Sequence, residues 1–167
     1  MFKKKTEPKF SKPVNLEDYI TWVLLLQTRD VLFQARKNEL SQYGISPEQA
    51  AVLYILHTIG YRPTPTDISQ RMLRKPHTVS ALLSRMERKG LVSRTKNSIR
   101  KNLVRVELTE KGHEAYSQLI KRESIHKIMS SLSEEDSQQL KSYLRKLRDE
   151  ALKELGWERK MPFPSSQ

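Results

Sequence analysis

The chain has 167 residues, with 31 Lys and Arg against 19 Asp and Glu, a formal charge of +12 and no cysteine. That length allows one domain, or one domain with a helical extension, and the missing thiols exclude disulfides, cysteine zinc sites and a thiol redox switch. The positive excess favours a polyanionic partner through steering and counterion release, and says little about fold.

Residues 1–14 contain Lys3, Lys4, Lys5, Lys9 and Lys12 with Pro8 and Pro13, the composition of an extended basic arm. No apolar run follows Lys3–Lys5, so the start does not read as a signal peptide. Helix one begins at Asn15, a good N-cap, with Asp18 at the capping-box position and Val14 placed to staple onto Tyr19. It runs through Trp22, Val23, Leu26 and Leu32 to about Gln42, before the Tyr43-Gly44 break. Its apolar residues cover more of the circumference than a one-sided surface helix needs. The run Trp22–Leu26 is too short for a membrane span and is flanked by Asp18 and Arg29. The chain therefore reads as cytoplasmic, with no membrane partner.

Ser46-Pro47-Glu48-Gln49 is a second start signal, with serine at the cap, proline at the first helical position and glutamine folding back. Helix two then presents Ala50, Leu53, Ile55 and Leu56 as far as Gly60. Thr64-Pro65-Thr66-Asp67 repeats that grammar and opens helix three, with Ile68, Met72 and Leu73 inward. Residues 73–75 form a turn, Pro76 starts helix four, and Gly90 stops it. Strands follow at 91–96 and 103–108, the second alternating Val104, Val106 and Leu108 with Arg105 and Glu107. Thr109 caps helix five, which holds Tyr116, Leu119 and Ile120 and is expected to run to about Met129. Ser133 and Asp136 bracket the start of helix six, which continues through Leu140, Leu144, Leu147 and Ala151 to Leu155, with Gly156 as the stop. Residues 157–167, with Pro162 and Pro164, read as a tail.

The order from helix three to the second strand is a helix-turn-helix followed by a basic hairpin. In helix four Val79, Leu82, Leu83 and Met86 follow the i, i+3, i+4, i+7 spacing of a buried stripe. Lys75, His77, Thr78, Ser80, Ala81, Ser84 and Arg85 stand off that stripe, and their small or basic side chains suit close approach to base edges and phosphates in a major groove. An ordinary amphipathic helix has the same pattern, and the adjoining helix three and hairpin are what favour DNA. The hairpin carries Arg94, Lys96, Arg100, Lys101 and Arg105, with Asn97 and Asn102 suited to a turn. Such a loop can enter a minor groove or clamp phosphates.

Taken together, residues from about 45 to 112 resemble the MarR family of bacterial and archaeal transcription regulators. The resemblance rests on Ile45-Ser46-Pro47-Glu48-Gln49, Thr66-Asp67-Ile68-Ser69 and His77-Thr78-Val79-Ser80. It is strongest in Arg85-Met86-Glu87-Arg88-Lys89-Gly90-Leu91-Val92 and in Val104-Arg105-Val106-Glu107-Leu108-Thr109-Glu110-Lys111-Gly112. It implies a homodimer whose first, fifth and sixth helices interlock, helix four in the major groove, and a wing at 94–105. It also implies, for many members, a small phenolic or aromatic effector between head and dimer helices. The family's wing commonly carries Asp-x-Arg; the corresponding positions here are Arg100, Lys101 and Asn102, so the groove contact falls to Arg100 or Lys101 without an orienting carboxylate.

The expected architecture is mainly α (α+β). A winged helix-turn-helix head at 45–112 sits between a dimerisation helix at 15–43 and dimerisation helices at 113–156, with the arm at 1–14 and the tail at 157–167. Trp22, Leu26, Leu144 and Leu147 are the expected dimer-interface residues. Trp22, Tyr54, His57 and Tyr61 are candidates for an effector pocket, although an apolar interface and a ligand cleft read alike. His57, His77, His113 and His126 never stand at the i, i+4 spacing of a helical metal pair, and no cofactor is called for. No nucleophile–base set or phosphate loop stands out, so the chain does not read as an enzyme. The leading expectation is a sequence-specific repressor that binds double-stranded DNA at a pseudo-palindromic operator. A sequence-tolerant architectural DNA coat is the alternative.

Overall fold

The computed structural model describes residues 15–96 and 103–157. The basic arm at 1–14, the hairpin tip at 97–102 and the tail from 158 onward lie outside the described residues. Among the described residues seven helices and one antiparallel strand pair follow in order: α1 (Leu16–Ser41), α2 (Pro47–Thr58), α3 (Pro65–Met72), α4 (Pro76–Arg88), β1 (Val92–Lys96), β2 (Val104–Leu108), α5 (Glu110–Leu119), α6 (Glu123–Met129) and α7 (Glu134–Glu154).

Local chemistry sets most of the boundaries. Asn15 caps α1 by accepting from Glu17 N at 3.2 Å, one position earlier than a capping box with Asp18 would require. Ser46 and Gln49 close a reciprocal capping box on α2, and Thr64 and Asp67 close another on α3, each with proline in the first turn. Gly90 (φ 70°) ends α4 in a Schellman closure, with Leu91 N–H donating to Met86 O at 3.0 Å and Gly90 N–H to Glu87 O at 2.9 Å. Gly156 ends α7 in the same way.

Further details depart from the expectation. Leu73 is not an inward core residue: it ends α3 in the left-handed region (φ 57°) and is only partly buried. The long fifth helix is two helices, α5 and α6, broken at Arg122 with φ 46°. Ile120, expected inward, is exposed there. The break is held from α1. Arg36 donates to Leu119 O at the end of α5 (3.4 Å) and pairs with Glu39 (2.6 Å), while Glu39 accepts from Glu123 N (2.9 Å), Ser124 N (3.3 Å) and the Ser124 hydroxyl at the start of α6. One ion pair thus satisfies both helix ends, which no local pattern in residues 109–129 reveals.

β1 and β2 pair antiparallel from Val92↔Leu108 to Lys96↔Val104. β2 also receives the α2–α3 connection, with Val106 N–H donating to Pro63 O at 2.9 Å. The core runs from Leu40 to Leu119 and includes Val52, Leu53, Ile68, Val79, Leu83, Met86, Val92 and Val106. α1 contributes only Leu40 to this core, and α7 has no buried residue.

Candidate nucleic-acid interface

The recognition-helix candidates are divided by the fold along one line. Val79, Leu82, Leu83 and Met86 are buried against the head. Lys75, His77, Thr78, Ser80, Ala81 and Arg85 are exposed together on the opposite face. Lys75 is the N-cap residue of α4 and supplies no side-chain cap, and the helix has no acid in its first turn. The positive end of the helix dipole therefore faces outward beside Lys75 and His77, which favours an anionic neighbour. Ser84 is half-buried and engaged: its hydroxyl donates to Ser80 O at 3.0 Å and accepts from Arg94 Nη2.

The hairpin stands next to this face. Lys96 is exposed at the end of β1, and Arg100 and Lys101 at the tip lie outside the described residues. Arg94 differs from the others, because its guanidinium turns toward α4 with Nε 3.0 Å from Glu87 Oε2. Arg105 Nη1 donates to Arg62 O at 2.9 Å, and Arg62 Nε pairs with Glu107 Oε2 at 2.7 Å. Ser93 Oγ donates to Glu107 Oε1 at 3.3 Å. This clamp ties the hairpin to the α2–α3 connection. Arg105 and Glu107 were visible as one strand face, but nothing local placed Arg62 opposite them.

The four effector-pocket candidates are not brought together as a set. His57 stacks on Tyr116 (centroids 4.0 Å apart, planes at 25°), and Tyr54 lies 6.4 Å from the same ring. Trp22 and Tyr61 are exposed. A different open cleft of about 320 Å³ lies beside Tyr54, lined by Arg36, Pro47, Ala50, Ala51, Arg122 and Ile125. Arg122 Cζ sits 4.7 Å from the Tyr54 ring centroid, a cation–π contact. At Glu39, the ion-pair partner of the lining residue Arg36, burial acts to raise the pKa, but hydrogen bonds from Ser124 and Arg36 and the Arg36 charge outweigh it and hold the carboxyl below the usual glutamate value.

The interface candidates are bare in the single chain: Trp22 is 57% exposed, Leu147 51%, and Leu26 and Leu144 are similarly open. Among the described residues no three His, Asp or Glu side chains gather as a metal set, and no helix is long and apolar enough to cross a membrane.

Comparison with known proteins agrees with this geometry. A profile described as the MarR family matches residues 43–98. The HTH-type transcriptional repressor MdtR of Bacillus subtilis (strain 168) is 28% identical over 122 residues, covering 70% of this chain and 78% of MdtR. Among solved structures, the organohalide-sensing RdhR transcriptional regulator in its 2,4-dichlorophenol-bound form superposes with a TM-score of 0.83 at 30% identity, covering 97% of this chain and 99% of that one. The MepR–DNA complex of S. aureus superposes with a TM-score of 0.70 at 28% identity, covering 77% of this chain and 96% of MepR. With a fold shared along nearly its whole length and an exposed polar helix beside a basic hairpin, this chain belongs to the MarR family of DNA-binding transcriptional regulators.

Proposed function

We propose that the protein is a homodimeric, sequence-specific repressor whose two heads bind a pseudo-palindromic operator with half-sites about 10 bp apart. Residues 45–112 serve as the head, and 15–43 with 113–156 as the dimer frame. Lys75, His77, Thr78, Ser80, Ala81 and Arg85 meet the major groove, and Lys96, Arg100 and Lys101 of the wing meet phosphates or the minor groove. One observation carries this reading: α4 exposes its small hydroxyl and basic side chains on a single face while its apolar stripe is fully committed to the core. The bare apolar residues of α1 and α7 support the dimer, since such a surface is costly to leave in water.

A small aromatic effector is the proposed releasing signal. The cleft beside Tyr54 offers a ring face with two arginines, which suits a phenol or an aromatic acid, and the superposition on a dichlorophenol-bound relative is consistent with it.

Binding-site sequencing with the purified protein tests base reading directly. A recovered inverted repeat is the expected result, and uniform recovery of all sequences would instead favour a sequence-tolerant coat. Ser80→Ala and Arg85→Ala should each relax preference at one base position by roughly 1–3 kcal/mol. Equal weakening on every duplex would remove them from the base-reading set.

A further inference from the structure

The sequence marks Arg94 as one more wing cation for DNA, and the geometry gives it a different task. It sits on β1 opposite Val106, which is buried. Its side chain is only 21% exposed, far less than a groove-probing arginine needs. Nε is shut off from solvent and lies 3.0 Å from Glu87 Oε2, close enough to pair though off the line of a hydrogen bond. Nη2 donates to Ser84 Oγ, whose own proton is given to Ser80 O. The forked guanidinium therefore spans from the wing strand to two successive turns of the recognition helix, at Ser84 and Glu87.

We propose that Arg94 is a positioning residue that sets the angle of the wing against α4, and thereby the register between major-groove and wing contacts. The proposal rests on the DNA-reading assignment above for its consequence, but the strut itself belongs to the free protein. Only arginine can fill the role: a lysine keeps the charge but has one point donor in place of a planar fork, whereas a phosphate contact accepts either. Glu87 then matters for binding although it is an acid, which simple charge attraction to DNA would never predict.

Three variants separate the alternatives: Arg94→Gln, Arg94→Lys and Glu87→Ala, with the double variant Glu87→Ala/Arg94→Gln. Affinity for an operator duplex relative to a random duplex should fall about tenfold in all three single variants, with the double variant no worse than Arg94→Gln, the mark of coupled neighbours. The salt slope should remain that of the wild type. Hydrogen exchange on the DNA-free protein should show amides of residues 92–96 opening about tenfold faster in each variant, with the melting midpoint nearly unchanged.

A wild-type operator preference in Arg94→Lys, or a salt slope reduced by about 0.9 in Arg94→Gln, would make Arg94 a phosphate contact and overturn the proposal. Unchanged exchange at residues 92–96 would overturn it whatever the DNA result. Should the wild type prefer no duplex, base reading fails, while the exchange measurement still decides the strut.

Discussion

The head and the frame of this molecule solve the burial problem in opposite ways. Between Leu40 and Leu119 the chain packs a continuous core in which Val52, Leu53, Ile68, Leu83 and Val106 lose essentially all contact with water. Beyond it, α7 is a 21-residue helix without one buried residue, and α1 carries Leu16, Tyr19, Ile20, Trp22, Leu24, Leu26, Val31 and Phe33 in the open. Helices in proteins draw most of their stability from packing an apolar face rather than from propensity, so α7, with none of its residues buried, depends on packing supplied from elsewhere. The lesson is that the head is stabilised by its own residues, and the frame by a second copy in the reading proposed above.

The sharpest way to break this contrast is Leu147→Glu. A charge forced into an apolar helix interface is left unpaired and costs several kcal/mol, so the expected outcome is a fall from twice the chain mass to the chain mass by light scattering. A wild-type mass in this variant would refute the role given to α7. Leu83→Ala should act on the other region, lowering stability by about 2–5 kcal/mol in denaturant titration, with the mass still that of a dimer.

Gly112 probes the joint between the regions. A Cβ there would stand 2.1 Å from Leu91 O, a backbone atom that cannot swing aside. Gly112→Ala should cost roughly 1–3 kcal/mol through overpacking, and specific DNA binding should fall with it, because Leu91 N–H closes the end of α4 on Met86 O. A variant as stable as the wild type would mean that α5 can shift without consequence.

The smallest effect is expected at Glu39. Its folded pKa lies below the ordinary glutamate value of 4.5, so the stability that it contributes is present above that value and disappears as pH falls through the lowered folded one. Glu39→Gln should therefore narrow the difference in melting midpoint between roughly pH 6 and pH 3.5. An identical difference in both proteins would show that the α5–α6 bracket is not titrating.

The same division explains what could be read from sequence. Ser46/Gln49, Thr64/Asp67 and Gly90 act within a few residues of themselves, so helix starts and stops in the head were legible. The buried stripe of α4 is periodic, and the exposed face followed from it. A string of letters records the charge of Arg94 and not its direction, so its turn toward Glu87 and Ser84 is legible only in the structure. The break at Arg122 is not legible locally because the contacts that hold it, from Arg36 and Glu39 to Leu119, Glu123 and Ser124, span 83–85 residues of sequence. The family resemblance named a wing and a dimer, but it said nothing of the Arg62–Glu107 clamp.

At 26 residues, α1 is about 39 Å long. Its last turn is planted in the head through Leu40, while its first turns face outward. A rod of that kind works as a lever: a pivot of about 5° at one end sweeps the other by roughly 3 Å over such a length. In the dimer proposed above, small adjustments where the two copies grip each other are thereby geared into the distance separating their reading helices, which on that proposal has to match the pitch of the double helix.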